Sequence, residues 1–462
     1  MSERLPYVSP SIERLERLSI SSMGKHEMFA ITPASSFDEP YEVSSLLEQF
    51  GSPLFIVSEQ TLRAQYQSFL NTFTAKGIET RVAYSYKTNY LPGVISVFLD
   101  EGALSEVVSG TEYKLARALG VLGKDIIFNG PFKTPEELER AVKDGALIHI
   151  DNFNELEALT AVVDKLEQSA RLGIRVHFEY GHNPWTKFGF SADNGVAIKV
   201  LEKIAKHDRL ELVSLHNHSG TFQVDPQVYA QAAMVLLRLV KEARKLGMKP
   251  EMLDFGGGYP SRNQLKPEFD VPGGSNFQQD MLSLYAEAIL HRVARQKNLF
   301  DKSPIVVLEP GRTVVDTAVR LACTVVSTKK NPDHGDAIVV DAGVNILPTA
   351  YWYDHEIERA KGTEKKEVKT LRPVSVFGPL CMQIDVVRER ALLPPLSVGD
   401  PLLISNVGAY CQTQSMQFIH TRPATILLGP DGPEVIRQRE TWRDFFCNDS
   451  IPARLRPPNA DF

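Results

Sequence analysis

The chain has 462 residues, 43% of them hydrophobic and 23% charged, enough to bury a large core and most simply organised as two domains. A formal net charge of -6, with lysines and arginines scattered among acids, gives no basic footprint for nucleic acid. The apolar run 232–240 is broken by Arg238 well short of a membrane span and the first residues lack a secretory apolar core, so a cytoplasmic protein with no membrane partner is expected.

Residues 1–45 read as an N-terminal extension. Within residues 46–61 the run 53–58 is strand-like and is expected to join a sheet formed later in the chain. From residue 62 to residue 315, apolar runs rich in β-branched residues alternate with helix-period segments. The runs fall at 82–87, 105–109, 125–130, 147–151, 174–178, 212–220, 252–258 and 305–312. Between them, the segment 134–144 sets Leu138, Ala141 and Val142 on one face, and 226–246 is apolar through much of its length. Eight strand-then-helix units predict an α/β fold, a (β/α)8 TIM-type barrel, with chemistry at the C-terminal ends of the strands. The Pro- and Gly-rich stretch 260–277 reads as a loop beside the site. From 316 to 462 the rhythm changes to strands without regular helices, at 324–328, 337–344, 374–378, 401–405 and 424–428, which predicts a C-terminal all-β domain. The charged segment 356–369 reads as a solvated loop or frayed helix.

Four groups fall at the predicted strand ends. Lys87 closes Tyr84-Ser85-Tyr86-Lys87; a lysine after a strand is usually a surface charge, but this one follows two tyrosines where the strand meets its loop. Gly256-Gly257-Gly258 is either a tight turn or an anion nest, and Arg312 after the eighth strand completes the phosphate position common in such barrels. Glu309-Pro310-Gly311-Arg312 is either a turn closed by a salt bridge or an acid and an arginine aimed at a ligand. His218 lies on one strand face with His216, as metal ligands would, yet no third ligand is apparent nearby; the other reading is a ring that stacks on a ligand. An imine-forming lysine, a stacking ring, a glycine cradle and an acid with an arginine are what pyridoxal phosphate requires. The four cysteines, Cys323, Cys381, Cys411 and Cys447, form no CxxC pair, so zinc and a disulfide framework are not indicated.

Tyr84-Ser85-Tyr86-Lys87, His218-Ser219-Gly220-Thr221, Gly256-Gly257-Gly258, Glu309-Pro310-Gly311-Arg312, Gly378-Pro379-Leu380-Cys381 and Gly408-Ala409-Tyr410, in this order over roughly residues 50 to 430, resemble the fold-type III pyridoxal-phosphate decarboxylases. That family includes the diaminopimelate, ornithine and arginine enzymes. The resemblance implies a barrel with a C-terminal β domain and a homodimer with shared active sites. It implies that Lys87 carries the internal aldimine, that Glu309 binds the pyridine nitrogen and makes a quinonoid accessible, and that His218 stacks on the ring. It sets Thr221, Gly257, Gly258, Gly311, Arg312 and Tyr410 around the phosphate, and Glu112 and Arg175 close to the ring. Cys381, in most proteins a small buried hydrophobe, is implied to enter from the partner subunit and return a proton to the substrate carbon, with Lys87 as the other candidate.

The chain departs from the family where substrate is chosen. Met382 stands where an acid usually grips a distal ammonium, Leu347 where diaminopimelate enzymes carry an arginine before the proline of Pro348-Thr349-Ala350-Tyr351, and Phe418-Ile419 replaces an aromatic-Asn element. Gln383, Gln412, His420 and Arg422 are polar residues nearby, and Tyr351, Met382, Gln383 and His420 are the expected substrate contacts. These departures point to an amino acid whose distal nitrogen is acylated, such as the citryl-diaminopropionate of siderophore biosynthesis. Diaminopimelate decarboxylation is the alternative. A racemase, against which Glu309 argues, and a silent cofactor-binding homologue are the remaining readings.

Overall fold

The computed structural model describes residues 40–180, 185–266, 281–331, 335–360 and 371–461. Eight parallel strands close a barrel in the order Glu79–Ser85, Leu104–Val107, Ile126–Phe128, Leu147–Ile150, Ala170–His177, Leu210–Asn217, Met252–Asp254 and Ile305–Leu308, with the last paired to the first. All eight coincide with the apolar runs, although the Met252–Asp254 and Ile305–Leu308 strands stop before the glycine triplet and before Glu309. Those motifs are therefore loop residues at the barrel mouth, still tied by backbone bonds: Glu309 donates its amide to the Gly256 carbonyl at 2.8 Å and the Pro310 carbonyl accepts the Ser85 amide at 3.3 Å.

Helices cover the outside for local reasons. The Pro135–Asp144 helix starts with a capping box between Thr134 and Glu137, ends at Gly145 in the left-handed conformation, and buries Leu138, Ala141 and Val142 against the strands. The 20-residue Pro226–Lys245 helix is capped by Asp225 and buries a face of alanines, valines and leucines. Among the described residues, no helix is long and apolar enough to cross a membrane. Gly173, on the fifth barrel strand, sits where a Cβ would come within 2.4 Å of the His149 ring, so the missing side chain makes room for an imidazole inside the barrel.

The second unit is mostly sheet. Its strands run in the order Val386–Leu393, Arg372–Phe377, Gly335–Val340, Val319–Asn331, Leu54–Ser58, Ala424–Gly429 and Gly432–Arg437, with Pro401–Ile404 and Ile357–Arg359 alongside. Leu54–Ser58 is central to it, antiparallel to Val319–Asn331 and parallel to Ala424–Gly429. Three details differ from the sequence reading. Val43–Phe50 is a helix that buries Val43 and Leu46 against this sheet, and Ile357–Arg359 is a strand paired with Pro401–Ile404 within the segment read as solvated loop. Gln264–Leu265, within the segment read as a loop, pairs with Tyr353–Asp354. The expectations for residues 1–39, 267–280 and 361–370 lie outside the described residues.

The two units meet at the barrel mouth. Asp316, fully buried, accepts hydrogen bonds from Ser261 Oγ at 2.6 Å, Asn263 Nδ2 at 2.8 Å and the Ala409 amide at 3.0 Å. Tyr410 donates its amide to the Thr88 carbonyl at 2.8 Å, which brings a β-domain residue next to Lys87.

Candidate active site

Lys87 stands in the single 3-10 turn Tyr86–Thr88 immediately after the first barrel strand. Its neighbours are pinned: Tyr84 packs on Phe98 with ring centroids 4.2 Å apart, and the Tyr86 hydroxyl lies 2.9 Å from Ser105 Oγ. The Lys87 amine donates to Glu106 Oε2 at 2.6 Å and to Ser85 Oγ at 2.7 Å, and the Ser85 hydroxyl bonds the same Glu106 oxygen. Burial alone would push this amine down, but the Glu106 and Glu309 carboxylates outweigh it and hold the amine above the ordinary lysine value.

A buried polar network runs beneath the lysine. Asn129 Nδ2 donates to Glu106 Oε1 at 2.9 Å and to Glu309 Oε1 at 2.7 Å. Its Oδ1 therefore accepts from His149 Nδ1 at 2.7 Å, which leaves His149 Nε2 as acceptor for the Ser214 hydroxyl at 2.9 Å. His216 stacks on His149 with centroids 4.6 Å apart, and its Nε2 lies 3.6 Å from Glu309 Oε2. Burial holds both imidazoles neutral. Glu106, Asn129, His149 and Asp254 were missed by the sequence reading; Asn129, His149 and Asp254 had a signal, a polar residue at or near the end of an apolar strand, whereas Glu106 follows Ser105 in Leu104–Val107.

The histidine pair resolves differently from its periodicity. His216 faces the barrel interior, whereas His218 lies past the strand end and accepts the Gly257 amide on Nδ1 at 2.9 Å, which places its proton on Nε2. The expectation that no further ligand-type group lies nearby is corrected by barrel closure: His149, His216, Asp254 and Glu309 bring ligating atoms within 4.8 Å of one another.

The mouth fits a phosphorylated ring. A Cβ on Gly257 would meet the Glu309 carbonyl at 2.6 Å and one on Gly258 would meet the Gly220 carbonyl at 2.6 Å, so the backbone is packed from behind and only glycine serves. Gly256 and Gly258 also hold positive φ. Arg312 lies among Tyr410, Tyr353 and Phe222, at 4.9, 5.1 and 5.8 Å from their centroids, and its buried Nη1 has no hydrogen-bond partner among the described residues. An unpartnered guanidinium nitrogen is what a phosphate would satisfy; in the glycine triplet the Gly256 and Gly257 amides already donate to Asp254 Oδ1 and His218 Nδ1. A Cβ at Gly311 would overlap Thr88 Oγ1, and Thr221 is exposed. Arg175 packs over Phe188 at 4.4 Å with its charge near Asp151 and Glu309.

Glu112, 8% exposed, accepts the Val108 amide at 2.8 Å, and burial lifts its carboxyl to about 7. An acid with a raised folded pKa binds its proton more tightly when folded, so its contribution to stability falls as pH rises from about 4.5 to about 7, by about 3 kcal/mol. Urea midpoints of the cofactor-free protein at pH 5 and pH 8 measure this. Glu112→Gln removes that part of the decline, and equal declines in both proteins would contradict the assignment.

The expected specificity residues lie apart from this cluster. Asp385 accepts the Leu380 and Val344 amides at 2.7 and 2.8 Å and so shapes the loop that carries Cys381, Met382 and Gln383. Cys381, Gln383 and His420 are exposed, Met382 is half-buried, and no hydrogen bond or ion pair joins these four to Lys87 among the described residues. Tyr351 is 59% exposed. Two of the nearby polar residues are engaged elsewhere: Gln412 is buried between Thr425 and Arg437, and Arg422 pairs with Glu440 at 2.8 Å. Leu347 is fully buried.

Comparison with known proteins agrees with this geometry. The family described as "Pyridoxal-dependent decarboxylase, pyridoxal binding domain" matches residues 59–316. A diaminopimelate decarboxylase of Methanocaldococcus jannaschii is 28% identical over 442 residues, covering 91% of this chain and 96% of that protein. One from Synechocystis is 29% identical, covering 89% and 90%. The crystal structure of the M. jannaschii diaminopimelate decarboxylase with L-lysine superposes with a TM-score of 0.81 at 27% identity, over 90% of this chain and 96% of that one. The chain belongs to the pyridoxal-dependent amino-acid decarboxylases, with pyridoxal phosphate as its cofactor.

Proposed function

We propose that this chain removes the α-carboxylate of a straight-chain amino acid of the diaminopimelate type. The observation that carries the reading is the convergence of Lys87, Glu309 and the glycine and arginine cradle at one barrel mouth. Pyridoxal phosphate, when bound, supplies a sink for the electron pair released with carbon dioxide. Lys87 attaches it, and Glu106 Oε2, 2.6 Å from the ammonium, is the acceptor in place for the proton the amine must lose first. Glu309 meets the ring nitrogen, His218 covers a ring face as a neutral imidazole, and Glu112 and Arg175 stand beside the ring. Gly257 and Gly258, with Thr221, Gly311, Arg312 and Tyr410, surround the phosphate.

Cys381, exposed in one copy, serves the site of a second copy in a homodimer and returns the proton to the substrate carbon. Exposed apolar residues of the same unit, Ile384 at 59% and Tyr351 at 59%, support such a contact. Lys87→Ala and Cys381→Ala homodimers, each inactive, are expected to regain about a quarter of native activity when mixed and reassociated, because half of the dimers then carry one intact site. No recovery would sink the shared-site reading. The four cysteines are free, in keeping with a cytoplasmic setting.

The named relatives favour diaminopimelate itself. A second reading, a diamino acid with an acylated distal nitrogen such as citryl-diaminopropionate, is favoured by the apolar Leu347 and Met382, which offer no partner to a distal carboxylate or ammonium; Tyr351, Gln383 and His420 would then make the distal contacts. Carbon dioxide release from diaminopimelate, lysine, ornithine and distally acylated diamino acids decides. A preference for diaminopimelate supports the first reading, a preference for the acylated compounds the second, and no release from any of them contradicts both.

A further inference from the structure

Asp254 ends the seventh barrel strand and is fully buried. Its Oδ1 accepts the Gly256 amide at 2.8 Å, while its Oδ2 is buried and has no donor. The His149 side of that oxygen is already committed. His149 Nδ1 is 4.0 Å away and donates to Asn129, His149 Nε2 accepts from Ser214, and both Asn129 N–H groups go to Glu106 and Glu309. What remains next to Asp254 is the Glu309 carboxylate, within 4.8 Å, and the neutral His216 imidazole, whose two nitrogens have no hydrogen-bond partner among the described residues and whose Nε2 lies 3.6 Å from Glu309 Oε2. Among the described residues no lysine or arginine forms an ion pair with either acid. Two carboxylates buried this close, with no lysine or arginine paired to either among the described residues, do not both stay charged.

We propose that Asp254 is a positioning residue that works as a neutral carboxylic acid, donating its proton to Glu309 and holding that carboxylate in place to meet the cofactor. The proposal rests on the reading of Glu309 as partner of the ring nitrogen. The proton belongs on Asp254 because Glu309 Oε1 already accepts an N–H from Asn129 at 2.7 Å and Glu309 stands beside the Lys87 ammonium. Burial and the Glu309 charge push the Asp254 carboxyl well above the usual carboxylate range. The spacing of the four groups would also suit a metal ion, but both nitrogens of His149 and one oxygen each of Asp254 and Glu309 are taken by hydrogen bonds, and of the two histidines only His216 keeps unpartnered nitrogens, so the cluster is read as closed by a proton.

Asparagine reproduces a neutral acid: its carbonyl accepts from Gly256 and its N–H donates to Glu309. The holoenzyme Asp254→Asn is expected to keep the visible cofactor spectrum, with cofactor Kd and kcat each within about threefold of native. Asp254→Ala, which leaves Glu309 without that donor, is expected to weaken cofactor binding at least about tenfold and to alter the spectrum. An Asn variant that fails to fold, or loses as much as the Ala variant, overturns the neutral-acid assignment, and an Ala variant with native cofactor binding and spectrum overturns the positioning role. Glu309→Gln, measured alongside, separates the underlying reading. A loss there leaves the Glu309 role standing whatever Asp254 does, and an unchanged Kd and spectrum overturns that role and this inference with it.

Discussion

Lys87→Ala is expected to lower carbon dioxide release by at least about 10³-fold and to abolish the visible band of the bound cofactor. Among the described residues no other amine is placed to replace it. Lys133, the neighbouring buried lysine, has no exposed side-chain surface and directs its amine to the Gly130 and His149 carbonyls and to Glu155 at 2.7 Å. The variant should fold, because Glu106 keeps its hydrogen bonds to Ser85 and Asn129 after the ammonium is removed. Circular dichroism checks the fold, and residual activity within tenfold of native would mean that another group performs the attachment.

Arg312→Ala is the second large effect. Truncating one partner of an enclosed, hydrogen-bonded charge pair costs about 3–4 kcal/mol, so cofactor Kd should rise by about 10²- to 10³-fold. Lysine at this position should recover only part of that, since it offers a point charge where a planar fork fits between Tyr410, Tyr353 and Phe222. Because Nη1 has no hydrogen-bond partner within the described protein, the cofactor-free variant should melt close to native. Equilibrium titration with pyridoxal phosphate measures the first effect and thermal denaturation the second. An unchanged Kd would remove Arg312 from the phosphate site.

The barrel was legible in the sequence because each of its strands carries a largely buried apolar stretch, even where residues such as Arg175 or His216 interrupt it, and helix-period segments separate the strands. Val386–Leu393 and Gly432–Arg437 were not legible. They lie at the two ends of the β-domain sheet, and their exposed positions carry charges such as Glu389, Arg390 and Glu434 that dilute the pattern. The Val43–Phe50 helix was missed because two buried residues three apart in eight are a weak helical signal.

The site divided in the same way. Lys87, His218, the glycine triplet, Glu309 and Arg312 announce themselves because each belongs to a short motif at a strand end. The network beneath them does not, because it exists only once the barrel closes: Asn129 and Glu309 are 180 residues apart, and His149 and Ser214 are 65 apart. His216 and His218, alike by alternation, were separated because the strand ends at Asn217. Gln412 and Arg422 read as free polar groups, but their partners Arg437 and Glu440 lie on a strand and a tail that the pattern did not predict.

Borohydride reduction of the purified holoenzyme, followed by peptide mass mapping, tests the central claim most directly, since it fixes the cofactor to whichever lysine holds it. The account predicts one pyridoxyl-phosphate adduct per chain, on Lys87. An adduct on any other lysine, or none in protein saturated with pyridoxal phosphate, would contradict it.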